Sequence, residues 1–130
     1  MKKRLISPQG GPQAVGPYSP AVAAGGFLFI SGQIPLNPNT GELVKDAFEN
    51  QVRQTLENLQ SVLASSGLTL NDVVKVTIFL ADMARFNELN AIYEDYFAES
   101  KPARSCVQAA ALPKGVDVEI EAIAFFPNVS

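Results

Sequence analysis

Apolar residues recur along this chain with two different periods, and the changes of period divide it into elements. Ala21 to Ala24 and Phe27 to Ser31 are short apolar runs on either side of Gly25-Gly26. That dipeptide reaches positive φ without steric cost and suits a two-residue hairpin turn. From Asp46 the period becomes helical: Phe48, Val52, Leu56, Leu59 and Leu63 recur three and four residues apart, with Glu, Gln, Arg and Asn between them. Asp46 and Glu49 have the spacing of a capping box, and Gly67 stands where a helix stop is expected. Val74, Val76, Ile78 and Leu80 then alternate with Lys75, Thr77 and Phe79, which predicts a strand with one wholly apolar face. A second helix is expected over 84–98, with Phe86, Leu89, Ile92 or Tyr93, and Tyr96 or Phe97 on one stripe. Pro102 bars its continuation. Strands over 103–111 and 117–126 complete the pattern, with Leu112-Pro113-Lys114-Gly115 read as the tight turn between them.

The resulting order is ββαβαββ, an α+β arrangement in one domain over residues 1–130. Ser7 to Pro20 holds three Gly and four Pro and is expected to be loop, so residues 1–15 form an irregular N-terminal segment. Ile34 to Gly41 reads as a surface excursion, because Pro35 and Pro38 cannot join a central ladder. In the last strand Val118, Ile120, Ala122 and Ala124 line one face, while the other ends in Ile123 and Phe125. Two helices cover only one side of such a sheet. The other side would expose an apolar patch, and we expect identical subunits to cover it.

Composition narrows the chemistry. With 130 residues, 47% hydrophobic and 18% charged, the chain supports one core. A formal net charge of -3 gives no positive field, so nucleic acid is an unlikely partner. The basic start Met1 to Arg4 is followed only by Leu5 and Ile6, too little for a signal peptide, and no run reaches membrane-spanning length. Cys106 is the single cysteine, which excludes an internal disulfide and fits a reducing compartment, so the expected location is cytoplasmic. The chain has no histidine, which removes Ser-His-Asp and Cys-His nucleophiles and the usual zinc sites together.

Chemistry must therefore come from carboxylates, Arg, Lys, Tyr, Ser, Cys106, backbone groups or water. Arg104, after Pro102-Ala103, either offers a two-pronged fork to a ligand carboxylate or pairs with an acid of the chain. Glu119 and Glu121 share one face of the last strand and are either a water-orienting base and its neighbour or solvated charges. A tight turn over 112–115 would set Glu119 opposite Ala109 or Ala110, leaving roughly 20 Å of strand between Arg104 and Glu119. If they share a site, it lies between subunits. Cys106 has no base to deprotonate it and reads as a small apolar residue rather than a nucleophile. Tyr18, Ser31, Gly32 and Asn90 are unremarkable singly, although Gly32 permits close backbone approach to a ligand.

Taken together, Gly16-Pro17-Tyr18-Ser19, Ser31-Gly32-Gln33-Ile34-Pro35, Pro102-Ala103-Arg104-Ser105-Cys106-Val107 and Glu119-Ile120-Glu121-Ala122-Ile123-Ala124 resemble the RidA/YjgF family of reactive intermediate deaminases. The resemblance runs from Gly16 to Phe126. It implies a chorismate-mutase-like sheet with two helices on one face, a homotrimer and clefts between subunits. It further implies hydrolysis of 2-iminobutanoate and 2-iminopropanoate to 2-keto acids and ammonia, with no metal or cofactor. By the same resemblance Arg104 binds the carboxylate and Glu119 orients or activates water. Backbone groups near Ser31, Gly32 and Cys106 would hold the imine, and Tyr18 and Asn90 would line the cleft. An imine carbon is already electrophilic, so positioning substrate and one water supplies most of the catalysis.

The chain departs from the family's commonest pattern at Pro20, where Gln often stands, and at Gln108, where Glu often stands. Neither position touches the implied catalytic pair. Two other classes of function stay open at this level: an endoribonuclease or translation inhibitor, and a non-catalytic module that binds small carboxylates. The acidic balance and the lack of a basic cluster with interleaved aromatics weigh against the first.

Overall fold

The structure is a computed structural model that describes residues 2–8, 14 and 16–127. In chain order it contains β1 (Arg4–Ile6), β2 (Ala21–Ala24), β3 (Phe27–Gln33), α1 (Phe48–Ala64), β4 (Val73–Leu80), α2 (Phe86–Phe97), β5 (Ala103–Gln108) and β6 (Val118–Phe125). The strands form one sheet in the order β1-β2-β3-β6-β4-β5, antiparallel except for the pair β4 and β5.

Two helical crossovers account for that order. A parallel pair needs a long return connection, which α2 supplies between β4 and β5. β3 and β4 both pair antiparallel with β6, so they run the same way, and α1 carries the chain from one to the other. Both crossovers step in the same direction along the sheet. Right-handed connections then place both helices on one face. There Leu28 and Ile30, Val76, Ile78 and Leu80, and Ile120, Ala122 and Ala124 are buried with Val52, Leu56, Leu59 and Leu63 of α1 and Leu89 and Phe97 of α2. The Gly25-Gly26 turn has positive φ at both residues (60 and 83), as a hairpin of this length requires. Past α1, Gly67 at φ 73 lets the N–H groups of Gly67 and Leu68 return to the carbonyls of Ala64 and Leu63, both at 3.0 Å.

Several expectations are corrected. The supposedly irregular segment 1–15 contains β1, which pairs with β2 along Arg4, Leu5 and Ile6. A three-residue edge strand bonds on one side only and buries little, so no apolar alternation announces it. Residues 1, 9–13 and 15 of that expectation lie outside the described residues. α1 starts at Phe48 with Ala47 in the cap position and no side-chain cap bond. Asp46 sits one residue too early for a capping box, and it accepts instead from Asn50 Nδ2 at 3.2 Å. In β4 the register against β6 slips between Val73 and Lys75, so Val74 is exposed and Val73 takes the core position.

The largest correction concerns the last two strands, which do not form a hairpin. β4 lies between them, parallel to β5 and antiparallel to β6. Residues 109–117 carry the chain around the end of β4, where Ala109 N–H donates to Leu80 O (2.9 Å) and Ala81 N–H donates to Asp117 O (3.0 Å). Glu119 is therefore level with Phe79 and Val107, not with Ala109 or Ala110.

The face without helices carries an apolar half and a polar half. Phe27 pairs with Phe125 and Phe29 with Ile123, and the three phenylalanines are 42%, 36% and 45% exposed for Phe27, Phe125 and Phe29. Lys75, Thr77, Glu119 and Glu121 make the rest mainly polar, although Phe79 and Val107 share it. Among the described residues no helix is long and apolar enough to cross a membrane.

Candidate active site

Strand register decides which face each candidate residue joins. Arg104 pairs with Val76, which is buried under the helices, so Arg104 points to the helical face. Its guanidinium meets one stripe of α2: Nη1 donates to Asn90 Oδ1 at 2.7 Å. Its centre lies 4.9 Å from the Tyr93 ring centroid and 5.5 Å from that of Phe86. Phe86, Asn90 and Tyr93 are four and then three residues apart, the spacing that aligns side chains on a helix. No carboxylate pairs with Arg104 among the described residues. A cation held by two ring faces and one amide oxygen keeps the remaining N–H edges of its fork for an outside carboxylate.

Tyr93 stacks on Phe97 at 4.6 Å between ring centroids. Its hydroxyl is buried with no partner among the described residues. Burial pushes its pKa up to about 12, against the opposing pull of the Arg104 charge. Cys106, two residues beyond Arg104 on the same face, is half-buried. Burial pushes its thiol up, and Arg104 offsets only part of that, so the group stays a thiol near neutrality.

Glu119 belongs to the opposite face. Between the pairs Ile30 with Ala122 and Gln33 with Ile120, two residues of β3, Ser31 and Gly32, stand against the single residue Glu121 of β6. This bulge turns Gly32 toward Glu119. A Cβ on Gly32 would overlap the Glu119 carboxyl group, coming within 2.8 Å of its Cδ, so glycine is what makes room for the acid. Burial, then the neighbouring Glu121 charge, raises the pKa of Glu119 above the ordinary glutamate value.

Ser31 fastens the loop that carries Tyr18. Its Oγ donates to Ser19 O at 2.7 Å and its backbone N–H donates to Pro20 O at 3.0 Å. Tyr18 and Gly32 then share the wall of a cavity of about 290 Å³ at the end of β3. Within one chain the candidates thus fall into two groups. Arg104, Asn90 and Cys106 lie under α2, and Tyr18, Ser31, Gly32 and Glu119 lie around the β3 bulge. The expectation that one chain cannot join Arg104 to Glu119 holds, but because the sheet separates them, not because of distance along a hairpin. Sequence reasoning placed Phe86 and Tyr93 on the apolar stripe of the second helix, and Tyr93 is indeed in the core; that both also face Arg104 was missed, although their helical spacing from Asn90 was the available signal. Among the described residues no three His, Cys, Asp or Glu side chains gather as a metal site.

Comparison with known proteins places the chain in a family. A family model described as Endoribonuclease L-PSP matches residues 9–126. A RutC family protein of Pyrococcus horikoshii is 52% identical over 123 residues, covering 95% of this chain and 98% of that protein. The 2-iminobutanoate/2-iminopropanoate deaminase of Mus musculus is 47% identical over 122 residues, covering 94% of this chain and 90% of that one. A crystal structure from Thermotoga maritima, provisionally described as an endoribonuclease, matches with a TM-score of 0.92 at 48% identity and covers 96% of this chain and 98% of that one. With nearly its whole length matched, the chain belongs to the Endoribonuclease L-PSP family, the same RidA/YjgF family that its four motifs resemble.

Proposed function

We propose that this protein hydrolyses 2-imino acids, 2-iminobutanoate and 2-iminopropanoate among them, to 2-keto acids and ammonia. Its sites would form between the copies of a homotrimer. The observation that carries this reading is the division of the site: a guanidinium with no acid partner among the described residues on one face, and a raised-pKa carboxylate beside a glycine bulge on the other. Each half is incomplete alone. The deaminase name of the mouse relative supports the same chemistry.

In this reading Arg104 of one copy binds the substrate carboxylate in a fork and fixes the imine carbon. Glu119 of the next copy, as carboxylate, takes a proton from water as the oxygen attacks that carbon, and the proton passes to nitrogen. The tetrahedral adduct then collapses as its hydroxyl forms the new carbonyl and the C–N bond breaks, releasing ammonia. No side chain forms a bond to the substrate, which suits a chain without histidine and with a protonated Cys106.

A threonine dehydratase coupled to the purified protein tests the proposal by following decay of the released imine. Wild type should speed decay, Arg104→Ala should abolish the effect, and Glu119→Ala should lower it by roughly 100-fold or more. No acceleration by wild type would overturn the reading. Cleavage of RNA that survives Arg104→Ala would favour the endoribonuclease description carried by the Thermotoga relative.

A further inference from the structure

Arg104 takes its orientation from α2, and a side chain of its own strand ties down the start of that helix. Among the described residues two hydrogen bonds join β5 to the segment 83–97. One runs from Arg104 Nη1 to Asn90 Oδ1 at 2.7 Å. In the other, Met83 N–H donates to Gln108 Oε1 at 2.8 Å. Resting on the imine-hydrolysis reading, we infer that Gln108 is a positioning residue: it holds the turn before α2 in line with β5, keeps Phe86 against Arg104, and so aims the guanidinium fork at the substrate carboxylate.

Strand alternation puts Arg104, Cys106 and Gln108 on one face of β5, level with the buried Val76, Ile78 and Leu80 of β4. α2 is preceded by a short 3-10 turn, Met83–Arg85. The opening N–H groups of a helical turn have no partner within it. Those of Ala84 and Arg85 are met locally, by Asp82 Oδ1 at 2.9 Å and Asp82 O at 3.1 Å. That of Met83 reaches across to the sheet. The Met83 side chain packs against the core, which fixes the depth of the turn but not its direction, since apolar packing is non-directional. The bond to Gln108 supplies the direction. Phe86 follows three residues later, almost one helical turn on, and its ring lies 5.5 Å from the guanidinium. A tilt at Met83 is thus passed to that ring and from it to Arg104, while Tyr93, stacked on Phe97, stays in place. Gln108 itself is exposed and, at roughly 13 Å of strand from Arg104, too far to touch the guanidinium.

A hydrogen bond of this kind is worth roughly a factor of five. Gln108→Leu, which keeps the bulk and loses the acceptor, should therefore raise KM for 2-iminopropanoate about fivefold with kcat within about twofold. It should weaken 2-oxobutanoate, titrated by calorimetry, by a similar factor. Gln108→Glu keeps the acceptor and should restore both values, because its added charge lies beyond the screening length of ~8 Å in physiological salt. Phe86→Leu supplies a measurement that a merely structural role would not move. If Gln108 acts through the Phe86 ring, adding Gln108→Leu to Phe86→Leu should change KM and keto-acid affinity by less than about twofold. Effects that multiply in the double variant would overturn the inference, as would a Gln108→Leu protein with a lowered unfolding temperature and unchanged KM and affinity. Absence of imine hydrolysis by wild type would overturn the parent reading instead, and the 2-oxobutanoate affinities would still decide whether Gln108 orients Arg104.

Discussion

Gly32 is the residue at which local geometry and chemistry meet most directly. Its φ is not in the left-handed region, so alanine there is allowed by the backbone, yet its Cβ would fall on the Glu119 carboxyl group. Gly32→Ala should keep the fold, by unchanged thermal unfolding within about 1 kcal/mol, and should lower kcat/KM roughly 100-fold by moving the acid. Full activity in that variant would remove Glu119 from the chemistry. The raised pKa of Glu119 has two consequences of opposite use. The carboxylate form is needed as base, so activity should rise with pH along a limb centred above the ordinary glutamate value. Replacing Glu121 by Gln removes the second cause of the shift, and the limb should move to lower pH. For stability the sign is reversed. A carboxyl whose folded pKa is raised contributes stability below its unfolded pKa and loses it as pH rises through the folded value. Glu119→Gln should accordingly be more stable than wild type above that window and no better below it, measured by denaturant unfolding across pH.

At the scale of elements, α2 does two jobs with one stripe. Leu89, Ile92 and Phe97 bury the helix, while Phe86, Asn90 and Tyr93 hold Arg104. The ring of Tyr93 contributes to that hold; its hydroxyl, buried without a partner among the described residues, does not. Tyr93→Phe should therefore keep KM and gain about 1 kcal/mol of stability by removing an unsatisfied group. Tyr93→Leu should raise KM roughly 5-fold, with less effect on kcat, through loss of a cation–π contact of about 1 kcal/mol. Equal losses in both variants would assign the effect to packing alone. The helices and core strands were legible in the sequence because Phe48, Val52, Leu56 and Leu59 repeat at helical spacing, and Val76, Ile78 and Leu80 at strand spacing. Strand order was not. A hairpin and a crossover leave the same alternation in their strands, so nothing in 103–111 and 117–126 revealed that β4 separates them. The four motifs named the candidate residues, but the face of Arg104 followed only from its register with Val76.

For the whole molecule, that strand order is what makes the candidate site incomplete in one copy. Helices on one face leave Phe27, Phe29, Ile123 and Phe125 open on the other, and an apolar area flanked by Glu119 and Glu121 suits a second copy better than a phosphate backbone. If Arg104 of one copy meets Glu119 of the next around a closed ring, each site draws one catalytic residue from each of two chains. Chains carrying Arg104→Ala would then be inactive alone, as would chains carrying Glu119→Ala. Refolded together in equal amounts, they should regain about one quarter of the wild-type activity, because random assembly unites an intact Arg104 with an intact Glu119 at that fraction of the interfaces. The chain with both substitutions, mixed with wild type, provides the control for dilution, since it too should leave about one quarter of the interfaces fully intact. No regain in the first mixture, with assembly confirmed by sedimentation, would mean that each copy must use its own pair. The sheet would then have to rearrange to bring the two faces together.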